Sequence, residues 1–508
     1  ISYFNTLIAI IPFLFYKTSI GIFKNFSKEL KKRENFFFIF YFFSLYLLCL
    51  LPVSDPDSLD YHLGIPKILI EENSFSENIN WLHFQLASYG EMINLISIIS
   101  FDGKLLGFLK VTLLLFLTIL LLRKYQKNSF LIKFFLISPI FLFFILSQKP
   151  QFFGFLIFSI VLFIMFENKK NKFFFHHFCF YIVTAYTAAL NYSFLTITLL
   201  FCLYFLFFFK KFYLKNKIFF SVISFLSLLI LLQIYYKNLY FYGNPLTPFF
   251  ENFLSQYPKN FNINFSNYLK NFGYPINLEN VLLFPLRFFI PLNIQDLTTT
   301  YAPLIVFILF IKKSKKLHLI YLFFLITTIL VIMLTSQISN RYYFITYLFV
   351  LYFLMNCSYN YSKNLERFSN FTLFSFSFLL LTYLLMNIGS LFNEDKQSVF
   401  LKKNAYQYEE TIWLKEKINI NTNFTSDIRS KSLLDQNHKT IHFLFYVEKK
   451  NFNKEFFKFI KKNNISLFSF ESEKDTHFLY ELLSDCKNVL FSKKFQKKRR
   501  NFLTEKKF

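Results

Sequence analysis

Long, unbroken apolar runs joined by short basic connectors dominate this chain, and no other feature limits its fold so strongly. The runs lie near 3–16, 36–53, 104–122, 130–146, 151–167, 173–190, 193–209, 217–236, 301–311, 317–335, 342–358 and 370–390. Runs of about 17–20 residues match the hydrocarbon thickness of a bilayer. They are continuous rather than alternating, which argues against a β-barrel. With 54% of 508 residues hydrophobic and a mean hydropathy of +0.38, the apolar surface exceeds what one water-soluble core can enclose. The expected fold is a polytopic α-helical membrane protein with about 11–12 transmembrane helices. The 81 phenylalanines read as lipid-facing filler rather than as a cofactor-binding signature.

The net charge of +26 would suggest a nucleic-acid partner if it were spread over a soluble surface. It sits instead in the connectors: Lys31 to Arg33, Arg123 to Lys127, Lys169 to Lys172, Lys210 to Lys217, Lys312 to Lys316, and Lys363 with Arg367. On an alternating path these all fall on one side, which the positive-inside rule makes cytoplasmic. A lipid bilayer is the implied partner, and no nucleic acid is. The opposite loops are then 54–103, 147–150, 237–300 and 336–341, joined by the tail from 391. Three regions follow: a hydrophobic segment and basic linker at 1–35, a membrane region at 36–390, and an extracytoplasmic region at 391–508. The run at 3–16 is either an extra span or an interfacial helix. The five cysteines show no CxxC or Cys/His spacing, so neither a zinc site nor a disulfide framework is implied.

The 391–508 region changes character. Glu409–Leu414 reads as an amphipathic helix, Thr440–Phe445, Ile465–Phe470 and Val489–Ser492 as strands, and Asn453–Asn463 and His477–Ser484 as helices. That alternation predicts a small C-terminal α/β domain. The basic run from Lys493 to Lys507 reads as a solvated tail, or as a contact for anionic headgroups.

Acids are scarce, yet Asp55, Asp57, Asp60 and His62 fall within eight residues directly after an apolar run. Pro56 stiffens the approach, and Tyr61, Leu63, Ile65 and Pro66 make the segment semi-apolar. A carboxylate in such a place can take a proton from a hydroxyl, and two can hold a hard divalent ion through oxygen. Asp57, Asp60 and Glu91 are the candidate ligands for Mg2+ or Mn2+. Cations on the same side are Lys149, Lys237, Arg287 and Arg341. Lys149 and Lys237 also fit snorkelling at a helix end, and Asn238 fits a helix C-cap as well as a polar ligand contact.

The stretch Asp57-Ser58-Leu59-Asp60-Tyr61-His62-Leu63, followed by Pro66-Lys67, resembles the first outer loop of the GT-C superfamily of polyprenyl-phosphate-sugar-dependent glycosyltransferases. The nearest branch is the bacterial mannosyltransferase and aminoarabinose-transferase-like one. Gly90-Glu91-Met92 is similar to a second acidic element there. Tyr236-Lys237-Asn238 with Gly243-Asn244-Pro245, and Asn340-Arg341-Tyr342-Tyr343, resemble its later outer elements. The likeness spans roughly residues 36–390 in order and topology. It departs from the pattern in its spread Asp-x-Asp-x-x-Asp. The resemblance implies a GT-C-like fold in the bacterial inner membrane, with the active site on the periplasmic side. It implies inverting transfer of a sugar from a polyprenyl-phosphate-linked donor to a lipid, glycan or protein acceptor. Asp57, Asp60 or Asp55 would be the base, with His62 and Glu91 shaping the site. Arg287, Arg341, Lys237, Asn238, Lys149 and Tyr61 would bind donor or phosphate. A polysaccharide polymerase or ligase, or a lipid-linked glycan transporter, are the rival expectations. The first is disfavoured by the acid-rich first loop, the second by the lack of a clear internal repeat.

Overall fold

A computed structural model of the chain describes residues 36–72, 89–101, 103–167, 174–190, 194–245, 278–279, 283, 286, 289–291, 300–313, 341, 343–359, 363–419, 422–426, 428–434, 457–461, 463–472, 489–494 and 500–505. The runs at 3–16 and 317–335, Arg287, and the elements expected at 440–445 and 477–484 lie outside these residues.

The molecule is helical, as its apolar runs require. Three helices are long and apolar enough to cross a membrane: Leu105–Lys124, Lys217–Tyr240 and Asn364–Leu391. A bent pair, Gln126–Leu136 with Pro139–Leu146, makes a fourth if it counts as one span. Shorter apolar helices include Phe36–Leu48, Gln151–Phe166, Phe174–Leu190 and Phe344–Met355. Two of the long helices carry large apolar side chains on open faces, among them Ile218 and Phe225 on one, Phe371 and Leu379 on the other. Continuous exposure of this kind is unstable against water and natural against lipid tails.

The apolar run at 130–146 is not one straight helix but two, bent by 63°. Pro139 is the cause. It has no N–H to give, its ring clashes with the carbonyl four residues back, and it drives Ser138 into an extended conformation. The groups released at the break are recaptured by side chains and neighbouring backbone, as a low-dielectric setting demands. The Ala302 N–H donates to Ser138 Oγ (3.1 Å), Tyr347 OH donates to the Ala302 carbonyl (3.0 Å), and the Ile140 N–H donates to Thr300 O (3.1 Å). At the far end of the second half-helix, the fully buried Lys110 Nζ donates to Phe144 O and Ser147 O, both at 2.8 Å. These bonds satisfy carbonyls that the helix end leaves open. They also fix where residues 147–150 emerge.

Three expectations need correction. The run at 301–311 is no α-helical span: Leu304–Phe310 is a 3-10 turn, and Ile311–Lys313 pairs antiparallel with Ser358–Tyr359. The helix expected to end near 236 continues to Tyr242 and is closed by Gly243 in the left-handed region (φ 69°), so Lys237 and Asn238 are helical rather than loop residues. Part of the basic run near the C-terminus is paired strand rather than free tail. Arg500–Glu505 is an inner strand of a four-stranded sheet ordered Phe424–Ser426, Leu467–Ser472, Arg500–Glu505, Val489–Lys494. The first pair is parallel and the other two antiparallel. The strands expected near 465 and 489 and the helix near 409 are present, the last as Tyr408–Lys417.

Candidate functional site

The acidic segment folds as a tight knot after Phe36–Leu48. Asp55 accepts from the Ser58 N–H (2.9 Å) and the Ser58 hydroxyl (2.7 Å), the contacts of a helix N-cap. A π-helical turn, Ser58–His62, follows and closes through Leu63 N–H to Ser58 O at 2.9 Å. Turns of this wider kind are uncommon and concentrate at functional sites. Asp60 and His62 are buried in it, while Asp57 remains partly open at the rim.

Residues 147–150 pack on this knot. The Gln148 N–H donates to Ser58 Oγ at 2.8 Å. Lys149 then meets two carboxylates, with Nζ 2.9 Å from Asp57 Oδ2 and 3.4 Å from Asp55 Oδ1. Its ammonium also lies over the Phe143 ring, 4.5 Å from the centroid. Lys149 is therefore held inward and does not snorkel. Gly90 lets the helix Tyr89–Phe101 approach, because a Cβ there would overlap the Pro150 ring. The next residue, Glu91, pairs with His62 Nδ1 at 3.1 Å, both groups nearly dry. Asn94 locks the arrangement by donating to His62 O (3.0 Å) and Gln148 O (2.9 Å). Tyr61 lies against the His62 ring, centroids 4.2 Å apart.

The largest departure from expectation comes from beyond residue 391. Arg429 Nη2 donates to Asp57 Oδ1 at 2.5 Å, and Arg429 Nε lies 3.6 Å from Asp60 Oδ2. Lys431 Nζ donates to Asp60 Oδ1 at 2.6 Å, with both side chains almost fully buried. The strap that carries them, 428–434, is gripped from both sides. Lys67 donates to Ser432 O (3.1 Å) and Leu434 O (2.6 Å), and the Arg429 N–H donates to Gln407 Oε1 (2.8 Å). Gln407 itself sits at φ 58°, a conformation that a side chain other than glycine's resists. The contacts thus bring 55–62, 147–149 and 428–434 to the same end of the helices.

Electrostatics follow from this pairing. Burial pushes the Asp57 carboxyl up, but Lys149 and then Arg429 more than reverse it and hold it well below the usual carboxylate range. Burial likewise pulls the Arg429 guanidinium down, and Asp57 and Asp60 together raise it above its ordinary value.

Of the residues singled out from sequence, Asp55, Asp57, Asp60, His62, Glu91, Tyr61 and Lys149 form one continuous cluster. Lys237 lies within electrostatic range of Glu91. Asn238 is buried and donates to Pro245 O (3.4 Å) across the turn made by Gly243 and Asn244. Arg341 is half-buried and lies three residues before the helix Phe344–Met355. Asp57, Asp60 and Glu91 are each engaged by basic groups instead: Lys149 and Arg429 at Asp57, Lys431 and Arg429 at Asp60, and His62 at Glu91. Among the described residues no group of three or more His, Cys, Asp or Glu side chains is placed to hold a metal ion.

Arg429 and Lys431 escaped the sequence reading because nothing local marks them. Their signal is positional: a Ser-flanked basic pair that follows a short strand, Phe424–Ser426, running parallel to its neighbour. Loops at the carboxyl ends of parallel strands are favoured places for ligand contacts.

No curated protein matches this chain. A family model described as the DUF1420 N-terminal domain matches residues 9–393, a span that contains every carboxylate of the cluster and Lys149. The chain belongs to the DUF1420 family.

Proposed function

We propose that this protein is an inverting membrane glycosyltransferase that uses a polyprenyl-phosphate-linked sugar. In this reading the shorter apolar helices join the long ones in a polytopic, GT-C-like membrane region. Residues 391–508 form a small α/β domain on the periplasmic side of a bacterial inner membrane, and the carboxylate cluster opens on that side.

The observation that carries the reading is the placement of Asp57: a partly open carboxylate in contact with both Lys149 and Arg429, beside the buried Asp60 and Lys431. Asp57 accepts the proton of the acceptor hydroxyl or amine. That atom forms its bond to the anomeric carbon as the carbon–oxygen bond to the lipid phosphate breaks, and the electron pair leaves with the phosphate. The leaving phosphate needs cations, and Arg429 and Lys149 are the groups at hand. An arriving phosphate draws them from Asp57, which frees the carboxylate as charge develops on the leaving group. Asp60, buried against Lys431, holds the framework.

The mutual pairing of acids and bases also supports a second reading, an ionic latch that docks the C-terminal region without chemistry. Transfer from a radiolabelled polyprenyl-phosphate sugar in native membranes separates the two. Glycosyl transfer predicts activity in the parent and its loss in Asp57→Asn. Transfer that survives in both Asp57→Asn and Asp60→Asn removes the proposed base, and no transfer by the parent leaves the latch.

A further inference from the structure

Beside the ionic cluster lies a second, uncharged set of polar atoms. His62, Asn94, Gln148 and Gln151 are all more than nine-tenths buried. His62 Nε2, Asn94 Oδ1, Gln148 Oε1 and Gln151 Oε1 are dry and have no hydrogen-bond partner among the described residues. Orphaned polar atoms at such depth are uncommon and call for a physical reason. Hydrogen bonds and chain position bring their residues close together. Asn94 bonds the backbones of both His62 and Gln148, and Gln151 follows three residues later, opening the helix Gln151–Glu167 behind Pro150.

Their chemistry is uniform. Asn94 spends its N–H2 on two carbonyls, which fixes its free end as an acceptor oxygen. His62 spends Nδ1 on the Glu91 carboxylate, which leaves Nε2 for a hydroxyl, a group that both donates and accepts. The two glutamines present their amide oxygens in the same way. Such a set is matched by hydroxyl groups. A phosphate, which in its charged form only accepts, is the wrong ligand, and an aliphatic chain supplies no donor at all.

We infer that His62, Asn94, Gln148 and Gln151 form a hydroxyl-binding subsite for the sugar ring, next to the carboxylates and distinct from the phosphate-facing cations. This rests on the glycosyl-transfer reading and deepens it. The ionic cluster handles charge, and the amide set reads hydroxyl groups. Buried acceptors left unpaired in the unliganded protein also give discrimination, because a ligand lacking the matching hydroxyls leaves them unpaired still.

The test uses the full chain in lipid nanodiscs, with Gln148→Met and Gln151→Met singly and together. Methionine keeps the volume and removes the amide. Two probes are titrated: polyprenyl phosphate bearing a hexose, and the same lipid phosphate without sugar. The double variant should bind the sugar-bearing lipid about tenfold more weakly, as expected for two lost hydrogen bonds. Affinity for the bare lipid phosphate should not change. Thermal stability of the unliganded variants should hold or rise, a sign opposite to that of a structural amide. Equal loss for both lipids, or loss for neither, overturns the subsite. If the parent binds neither lipid, the glycosyl-transfer reading fails by itself. Saturation-transfer NMR with free hexoses then decides the subsite: signals lost in the double variant support it, and no signal from the parent refutes it.

Discussion

The strap at 428–434 is held by a buried ion pair, and breaking that pair from one side should release it. In Lys431→Met the carboxylate of Asp60 loses the ammonium 2.6 Å away, at a place where both side chains are almost fully buried. At an effective dielectric constant near 20, two charges that close attract by roughly 6 kcal/mol, most of which repays their desolvation. The net worth of the pair is therefore small, but removal of one partner is costly, about 3–5 kcal/mol, because the other charge stays buried. Arg429 Nε, 3.6 Å from the same carboxylate, softens the loss, so the lower figure of about 3 kcal/mol is expected.

If that cost falls on docking of the strap, its open population rises about 100-fold, since 1.4 kcal/mol is a factor of ten. Limited proteolysis of the strap reads that population directly when opening is fast relative to cleavage. The double variant Asp60→Asn with Lys431→Met removes both charges and should return to within about 1 kcal/mol of the parent. The cycle then shows a coupling of about 2 kcal/mol or more. Cleavage of Lys431→Met within threefold of the parent, or a double variant as open as the sum of its singles, refutes the ionic lock.

Two further outcomes follow from the same geometry. Asp57 is held below its unfolded value of 3.8, so the unfolded chain takes up its proton first as pH falls. The stabilisation from Asp57 is thus complete above about pH 5 and fades as pH drops through 4 toward the depressed folded value. Strap proteolysis followed from pH 7 to pH 3 should rise over that window in the parent and flatten in Asp57→Asn; matching profiles would contradict the pairing. Gly90→Ala places a methyl group against the Pro150 ring and should destabilise the protein by about 1–3 kcal/mol while loosening the Glu91–His62 contact. Unchanged thermal unfolding in that variant would show that the helix and loop are not in close approach.

The sequence was most readable where chemistry and position coincide locally. The apolar runs announce helices, and Asp55 to His62 announces itself because acids are rare and these stand together. The helix break at 137–138 was written in Pro139, yet the run around it is so apolar that periodicity alone reads one span. The extension of the last long helix before 243 was hidden for a different reason. Tyr236 to Tyr242 is polar enough to resemble a loop, while Gly243 stops the helix only seven residues later. The basic C-terminal run reads as solvated because charge suggests water, whereas strand pairing with Leu467–Ser472 recruits its backbone regardless of side-chain charge.

The cations were the hardest part to see, and the reason bears on function. Asp57 and Arg429 stand 372 residues apart, and Asp60 and Lys431 stand 371 apart, so no local spacing could join them. Burial of several charges at one end of an apolar bundle is a poor way to gain stability, since well-packed apolar groups of similar volume do as well or better. What such an arrangement does provide is a set of charges with graded access. Asp60 and Lys431 are sealed, which suits a fixed anchor. Asp57 and Arg429 are partly open, with side chains 24% and 39% exposed, so an anion from outside can compete for the guanidinium. A latch needs only the sealed pair. The open pair, together with the buried polar atoms at its side, is what the proposed transfer reaction would use and a latch would not.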